Sequence, residues 1–247
     1  MQAAYKLLSA QMGISHKQAK KLIDLGRVCL GGRKLTLARQ LCPLQSKFEV
    51  QNSKAQILYQ ETDWLFLNKP AGVNSYALEK QHPPYKLLHR LDLPTTGVLA
   101  LAQNHAHTQG LEVFKKRAVY KEYIALVQGV IKSPQTLRMP LKVQKSHAED
   151  AKGFVKTLLD PAGRPACTKI TPLKQYQHKT LLKVVITTGI THQIRAHLSA
   201  LGCPIVGDVL YGGRSHQYFF LHAHRLKILD HQIEAPLPFY FEEELTP

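Results

Sequence analysis

From about residue 57 onward, short apolar runs alternate with turn residues. The segments "WLFLNKP", "GVLALAQ", "EYIALVQG" and "TLLKVVITTG" each have strand length and carry the β-branched and aromatic residues that suit a pleated surface. Val98-Leu99-Ala100-Leu101-Ala102 has no polar position, the pattern of a buried strand. Two stretches switch to helical spacing. "NHAHTQGLEVFKKRAV" (104–119) predicts a helix between two strands. In "THQIRAHLSALG" (191–202), Ile194, His197, Leu198 and Leu201 fall on one face, Gly202 ends the pattern and Thr191 is placed to cap it. Strands and helices mix without an internal repeat, so this part of the chain is expected to be α+β.

The first fifty residues read as a separate unit. "SHKQAKKLIDLG" predicts a helix in which Ser15 and Gln18 form a capping box and Gly26 supplies the C-terminal stop. Ala19, Leu22 and Ile23 line one face, with Lys17, Lys20 and Lys21 on the other. A helix over about Tyr5 to Gln11 precedes it. "RVCLGGRKL" predicts a hairpin turning at Gly31-Gly32. Residues 1–52 hold nine basic side chains against two acidic ones, a denser positive charge than the remainder. The ordinary reading of a lysine-rich face is simple solvation. Here a basic helix, then Gly-Arg-Val, then a hairpin resembles the S4-type RNA-binding domain. That resemblance implies phosphate contacts from Lys17, Lys20, Lys21, Arg27, Arg33 and Lys34. The polar stretch 42–56 reads as the link to residues 53–247.

Composition narrows the function. The chain has 247 residues, 33 Lys+Arg against 17 Asp+Glu, and a formal net charge of +16. Such an excess concentrates polyanions at the surface, and nucleic acid is the leading partner. A membrane role is not expected: no apolar run approaches the roughly 20 residues of a spanning helix, and the N-terminus is not a signal peptide. Cys29, Cys42, Cys167 and Cys203 form no CxxC pair, which suits free thiols in the cytoplasm. The HxH triplets at 105–107 and 222–224 lack a third ligand at a metal-binding spacing, so no metal is assigned. Without a P-loop or GxGxxG, nucleotide hydrolysis and dinucleotide-dependent redox chemistry lose their usual warrant.

One acidic residue stands out. Asp92 lies in "HRLDLPTTG", between Arg90 and a turn that leads into the buried strand. Asp commonly caps such a turn. Downstream, Arg195 sits about one turn into the helix of 191–202, where a guanidinium could orient a carboxylate, form a structural ion pair, or face solvent.

Four ordered blocks settle on a resemblance. "HRLDLPTTGVLALA", "LNKPAGV" (67–73), "YKEYIALVQG" (120–129) and "GITHQIRAHLSALGCPIVGDVLYG" (189–212) resemble the RluA-type pseudouridine synthases. The resemblance implies a mixed, largely antiparallel α+β pseudouridine synthase fold over 53–247, after an S4-like domain over 1–52. It places the nucleophilic aspartate on Asp92, the active-site tyrosine on Tyr123 and the aspartate's arginine partner on Arg195. No cofactor or metal is implied. Lys69, Arg90 and His192 are further candidates for RNA contact. Three departures stand out. Ile190 replaces the family's arginine, Thr96 stands where serine is common, and "NSYALEKQHPPY" lacks the usual Val-His-Pro after the lysine-proline block. The expected partner is a structured RNA, ribosomal RNA of the large subunit first and tRNA second, acted on by a cytoplasmic monomer. The alternative from another class is a non-catalytic RNA-binding or ribosome-associated protein, which has no use for an irreplaceable Asp92.

Overall fold

A computed structural model describes residues 1–24, 27–31, 33–50, 54–145 and 155–245. They fall into two units, Met1–Lys54 and Ala55–Pro247. The expected boundary at 52/53, the glycines Gly26 and Gly32, and the side chains of Arg33 and Lys34 lie outside what is described.

The first unit comprises β1 (Gln2–Ala3), α1 (Ala4–Met12), α2 (His16–Asp24), β2 (Val28–Leu30), β3 (Arg33–Lys34), β4 (Leu41–Cys42) and β5 (Phe48–Val50). The capping box forms as its spacing predicts: Ser15 N–H donates to Gln18 Oε1 at 2.9 Å, and Gln18 N–H to Ser15 Oγ at 3.2 Å. Ala19 and Ile23 enter a core with Ala4, Leu8, Val28, Leu35 and Phe48. Gln11 fastens α1 to β5 by pairing with both backbone groups of Phe48. Lys17 and Lys21 are exposed, but Lys20 is half-buried with its ammonium 4.3 Å from the centre of the Tyr5 ring. Arg27 is half-buried, and burial lowers its pKa.

The second unit runs β6 (Gln56–Gln60), β7 (Trp64–Lys69), α3 (Ser75–Gln81), β8 (Lys86–Leu87), β9 (Thr96–Ala102), α4 (Asn104–Lys115), β10 (Tyr120–Gln128), β11 (Gln135–Leu137), β12 (Leu141–Lys145), β13 (Val155–Leu159), β14 (Thr168–Tyr176), β15 (Lys179–Ile186), α5 (Gln193–Ala200), β16 (Leu221–Ile228), β17 (His231–Glu234) and α6 (Phe239–Leu245). Eight strands form a sheet in the order β11-β14-β15-β10-β16-β9-β7-β6, with β17 on β16 and β8 on β9. Among the described residues, β9 with β16 is its single parallel pairing. The fold is therefore α+β around a mixed, mostly antiparallel sheet.

Apolar side chains cover both faces of this sheet. Leu65, Leu67, Leu99 and Leu101 join one core, and Trp64, Phe66, Val98, Ala100 and Ala102 join the other. That explains why β9 shows no polar alternation: at period two, both of its faces are interior. Gly97 allows the parallel join. Its φ is +109°, and a Cβ there would sit 2.1 Å from the Ala223 carbonyl oxygen. The close approach brings the start of β9, and the Asp92 turn ahead of it, beside β16, whose other neighbour is β10, the strand that carries Tyr123.

Candidate active site

The Asp92 turn is pinned from below. Thr95 N–H donates to the Asp92 carbonyl at 3.1 Å, closing the turn. The Leu93 carbonyl accepts from Gly72 N–H at 2.8 Å and from Lys69 Nζ at 3.1 Å. Lys69 also donates to the carbonyls of Pro70 and Val73, and its side chain is 0% exposed. Lys69 was a candidate RNA contact; instead it is an internal tie between two loops, because its ammonium has three carbonyls to satisfy and no path to solvent. Burial lowers its pKa to about 7, against the opposing pull of the Asp92 charge. Ser75 Oγ both donates to the Leu91 carbonyl and accepts from Leu91 N–H. His89 Nε2 accepts from Ala100 N–H at 3.1 Å, which places the ring proton on Nδ1. Burial, then the nearby Lys121 charge, pushes His89 down to about 3.

The Asp92 carboxylate does not cap its own turn; it faces helix α5. Arg195 Nη1 donates to Asp92 Oδ2 at 3.3 Å, and His192 Nε2 lies 3.7 Å from the same oxygen. The other edge of the Arg195 guanidinium is held by Asp208, with Nε–Oδ2 at 2.7 Å and Nη2–Oδ1 at 2.8 Å. Its faces meet the rings of Tyr211 and Phe219, at 4.8 and 5.4 Å from their centroids. Burial alone would lower the Arg195 pKa, but the Asp208 hydrogen bonds and charge, then Asp92, hold it above its ordinary value. Asp208 carried no expected role. Its only trace in the sequence is a carboxylate between Gly207 and the apolar run Val209-Leu210-Tyr211. Nothing local there announces a partner 13 residues upstream.

Helix α5 also departs from expectation. It starts at Gln193 rather than near Thr191, and His192, with φ +55°, is the N-cap residue with no side-chain cap bond. The Gln193 side chain instead ties the helix start to the preceding loop and to β14: its Oε1 accepts from Thr188 Oγ1 and Ile190 N–H, while its Nε2 donates to the Cys167 carbonyl and Thr168 Oγ1. All residues from Gln193 to Leu198 are buried, so the helix lacks the polar face that a one-sided pattern predicts. His192 Nδ1 lies 3.1 Å from Tyr211 Oη, which already accepts from Thr157 N–H at 2.7 Å. The carboxylate beside Nε2 favours the tautomer that carries its proton there, with Nδ1 accepting from the phenol. Burial lowers the His192 pKa, with the Asp92 charge opposing it.

Tyr123 projects from β10, where the register against β16 shifts between Glu122 and Tyr123. Its phenol is buried; burial and then the Asp92 charge push its pKa up, so it keeps its proton at neutral pH. Lys121, two residues earlier on the same strand face, donates to the Thr188 carbonyl at 2.9 Å. Burial, then the Arg117 charge, lowers it to about 8. Asp92, Tyr123, Arg195, His192, Lys121 and Arg90 all line one cleft of about 870 Å³, a volume suited to a small polar ligand or an extruded nucleotide. Asp92 reaches its wall with 23% of its side chain exposed.

Other candidates lie elsewhere. Lys17, Lys20, Lys21 and Arg27 belong to the first unit. Ile190, in place of the family's arginine, is buried with Leu141, Ala166, Ala196 and Tyr211. His105 and His107 fall on helix α4, not on a strand, and i, i+2 residues on a helix diverge. His222 and His224 both approach the Ala235 carbonyl. Among the described residues no three His, Cys, Asp or Glu side chains gather as a metal cluster would.

The chain resembles known proteins over most of its length. Residues 63–200 match the family model for RNA pseudouridylate synthases. An uncharacterized RNA pseudouridine synthase of Helicobacter pylori is 43% identical over 247 residues, covering 98% of this chain and 100% of that one. A ribosomal large subunit pseudouridine synthase C of Rickettsia typhi is 31% identical, covering 77% of this chain and 70% of its own. Among solved structures, human RNA pseudouridylate synthase domain containing 1 superposes with a TM-score of 0.65 at 28% identity, over 78% of this chain and 87% of that one. The chain belongs to the RNA pseudouridylate synthase family, in its RluA-type branch. It is an RNA pseudouridine isomerase.

Proposed function

We propose that this enzyme isomerises uridine to pseudouridine in ribosomal RNA of the large subunit, with Asp92 acting at the ribose, Tyr123 at the base and Arg195 positioning Asp92. The observation that carries the assignment is the shared guanidinium: Arg195 is clamped by a buried carboxylate and offers its remaining edge to the carboxylate that reaches the cleft. The reaction breaks the N1–C1′ bond, forms a C5–C1′ bond, moves a proton off C5 and leaves one on N1. No atom is gained or lost, so one carboxylate beside the sugar and a flat surface for the detached base can support it. The Asp92 carboxylate is suited to attack C1′ or to take a proton from C2′. The neutral Tyr123 ring supplies a stacking face, and its hydroxyl a hydrogen-bond donor to the base edge.

The ribosomal preference rests on the names of the relatives, ribosomal large subunit pseudouridine synthases C and D, and on the first unit. That unit supports an S4-like reading through the order of its elements and the exposed Lys17 and Lys21 on α2. RNA held there would be gripped mainly through phosphates. No described helix is long and apolar enough to cross a membrane. The cytoplasm and a monomeric state complete the proposal.

Carbodiimide mapping of pseudouridine in ribosomal and transfer RNA, from cells with and without the gene, tests it. Signals in large-subunit ribosomal RNA should vanish on deletion, return with the wild-type gene and stay absent with Asp92→Asn. Loss confined to tRNA would move the substrate, and an unchanged map would end the proposal. Charge reversal at Lys17 and Lys21 should weaken RNA affinity and flatten its salt dependence. An unaltered salt slope would remove the first unit from the grip.

A further inference from the structure

The lip of the cleft carries an aromatic residue with no counterpart in the catalytic scheme. Tyr76 is the second residue of α3, lines the cleft and is 51% exposed. Single exposed tyrosines are common and need no explanation. Tyr76 differs in being held. Its N–H donates to Asn74 Oδ1 at 2.8 Å, and the preceding Ser75 is locked to Leu91, one residue from Asp92. Arg90 Nη1 donates to Tyr76 Oη at 3.2 Å, with its guanidinium carbon 5.5 Å from the ring centroid. Arg90 is itself exposed. The pair therefore presents a ring and a cation to solvent, fixed to the same loop that aims Asp92. It also lies in the segment after Val73 that lacks the Val-His-Pro usual in the family.

We infer that Tyr76, backed by Arg90, is a stacking subsite for the base of a nucleotide adjacent to the target uridine. Extruding a uridine costs the stacking of its neighbours as well as its own. A base left at the mouth of the cleft needs a flat partner and, beside a phosphate, a positive charge. An aromatic ring with an attached guanidinium meets both needs and tolerates any base, since every base has a π-face. Lys115 and Arg117 on the same cleft add charge without a ring.

This inference rests on the isomerase reading of the cleft, and the test separates the two. Short transcripts spanning the mapped uridine are prepared with each neighbouring nucleotide in turn made abasic, and product formation is followed with wild-type enzyme, Tyr76→Ala and Tyr76→Phe. Tyr76→Ala should raise KM by roughly tenfold, with the loss falling on KM more than on kcat, and Tyr76→Phe should recover most of it. One abasic neighbour should weaken the wild-type enzyme by a similar factor and leave Tyr76→Ala unmoved. If wild type makes product but the abasic change affects wild type and Tyr76→Ala equally, or Tyr76→Ala behaves as wild type, the subsite is refuted alone. Absence of product with the wild-type enzyme on every transcript overturns the isomerase reading and the subsite together.

Discussion

Two loops deliver a carboxylate to the same arginine, and they do so differently. The loop after Gly207 buries Asp208, 1% exposed, against two nitrogens of Arg195 in a forked pair. The loop before β9 leaves Asp92 23% exposed and tied to Arg195 by one longer contact. A buried fork holds its geometry because neither partner has solvent as an alternative. A single contact at a cleft wall orients a carboxylate yet leaves an oxygen for chemistry. The first loop builds the anchor; the second presents the carboxylate proposed to react.

The sharpest way to break that division is to neutralise each carboxylate. Asp92→Asn should cut pseudouridine formation by at least about a thousandfold, measured under single-turnover conditions, while stability shifts by no more than about 1 kcal/mol. Substantial residual activity would move the reactive role off this loop. Asp208→Ala should instead cost on the order of 3–5 kcal/mol in urea unfolding, because it strands a buried guanidinium. Wild-type stability in that variant would mean the fork anchors nothing.

A smaller effect probes the support beneath the Asp92 loop. Lys69→Met leaves carbonyls of Pro70, Val73 and Leu93 without their ammonium, for a loss of about 3 kcal/mol and a lower kcat as the Asp92 turn loosens. Unchanged thermal melting would show that the loop is held by other means. The smallest effect lies behind the parallel join. His222 is buried, its Nε2 donating to the Ala235 carbonyl and its Nδ1 accepting from Thr96 Oγ1, and burial lowers it to about 4. The unfolded chain takes up that proton near pH 6.5 and the folded chain does not. Its contribution to stability is therefore full above pH 6.5 and is lost progressively as pH falls toward 4. The loss should reach roughly 1.4 kcal/mol by pH 5.5. A His222→Gln variant should lack this part of the acid slope; an identical slope would place the titration elsewhere.

Much of the architecture was legible in residue order. The capping box of α2, the strands over Trp64–Lys69, Thr96–Ala102, Tyr120–Gln128 and Lys179–Ile186, and the helix at 104 rest on local spacing. Local interactions write themselves into neighbouring positions. The misreadings come from tertiary contacts and backbone turns that local spacing does not record. Lys69 has the look of a surface lysine, but two loops converge on its ammonium. Thr191 has the chemistry of a cap, but the helix starts two residues later, with His192 at the N-cap position. The 104–119 helix stops at Lys115, and Arg117 turns left-handed at φ +58° so that the chain can enter β10.

The sequence by itself determined the strand and helix inventory, the positive charge, and four ordered blocks whose resemblance named Asp92, Tyr123 and Arg195. Those follow from periodicity and from residue identity at fixed spacing. Only the tertiary structure decided that Asp208 holds Arg195 and that Lys69 is a tie rather than an RNA contact. It alone set His192 against Asp92 and Tyr76 on Arg90 at the lip of the cleft. Each depends on which side chains the sheet brings within about 3 to 4 Å of one another, and a contact between distant positions is a property of the packed sheet rather than of either segment.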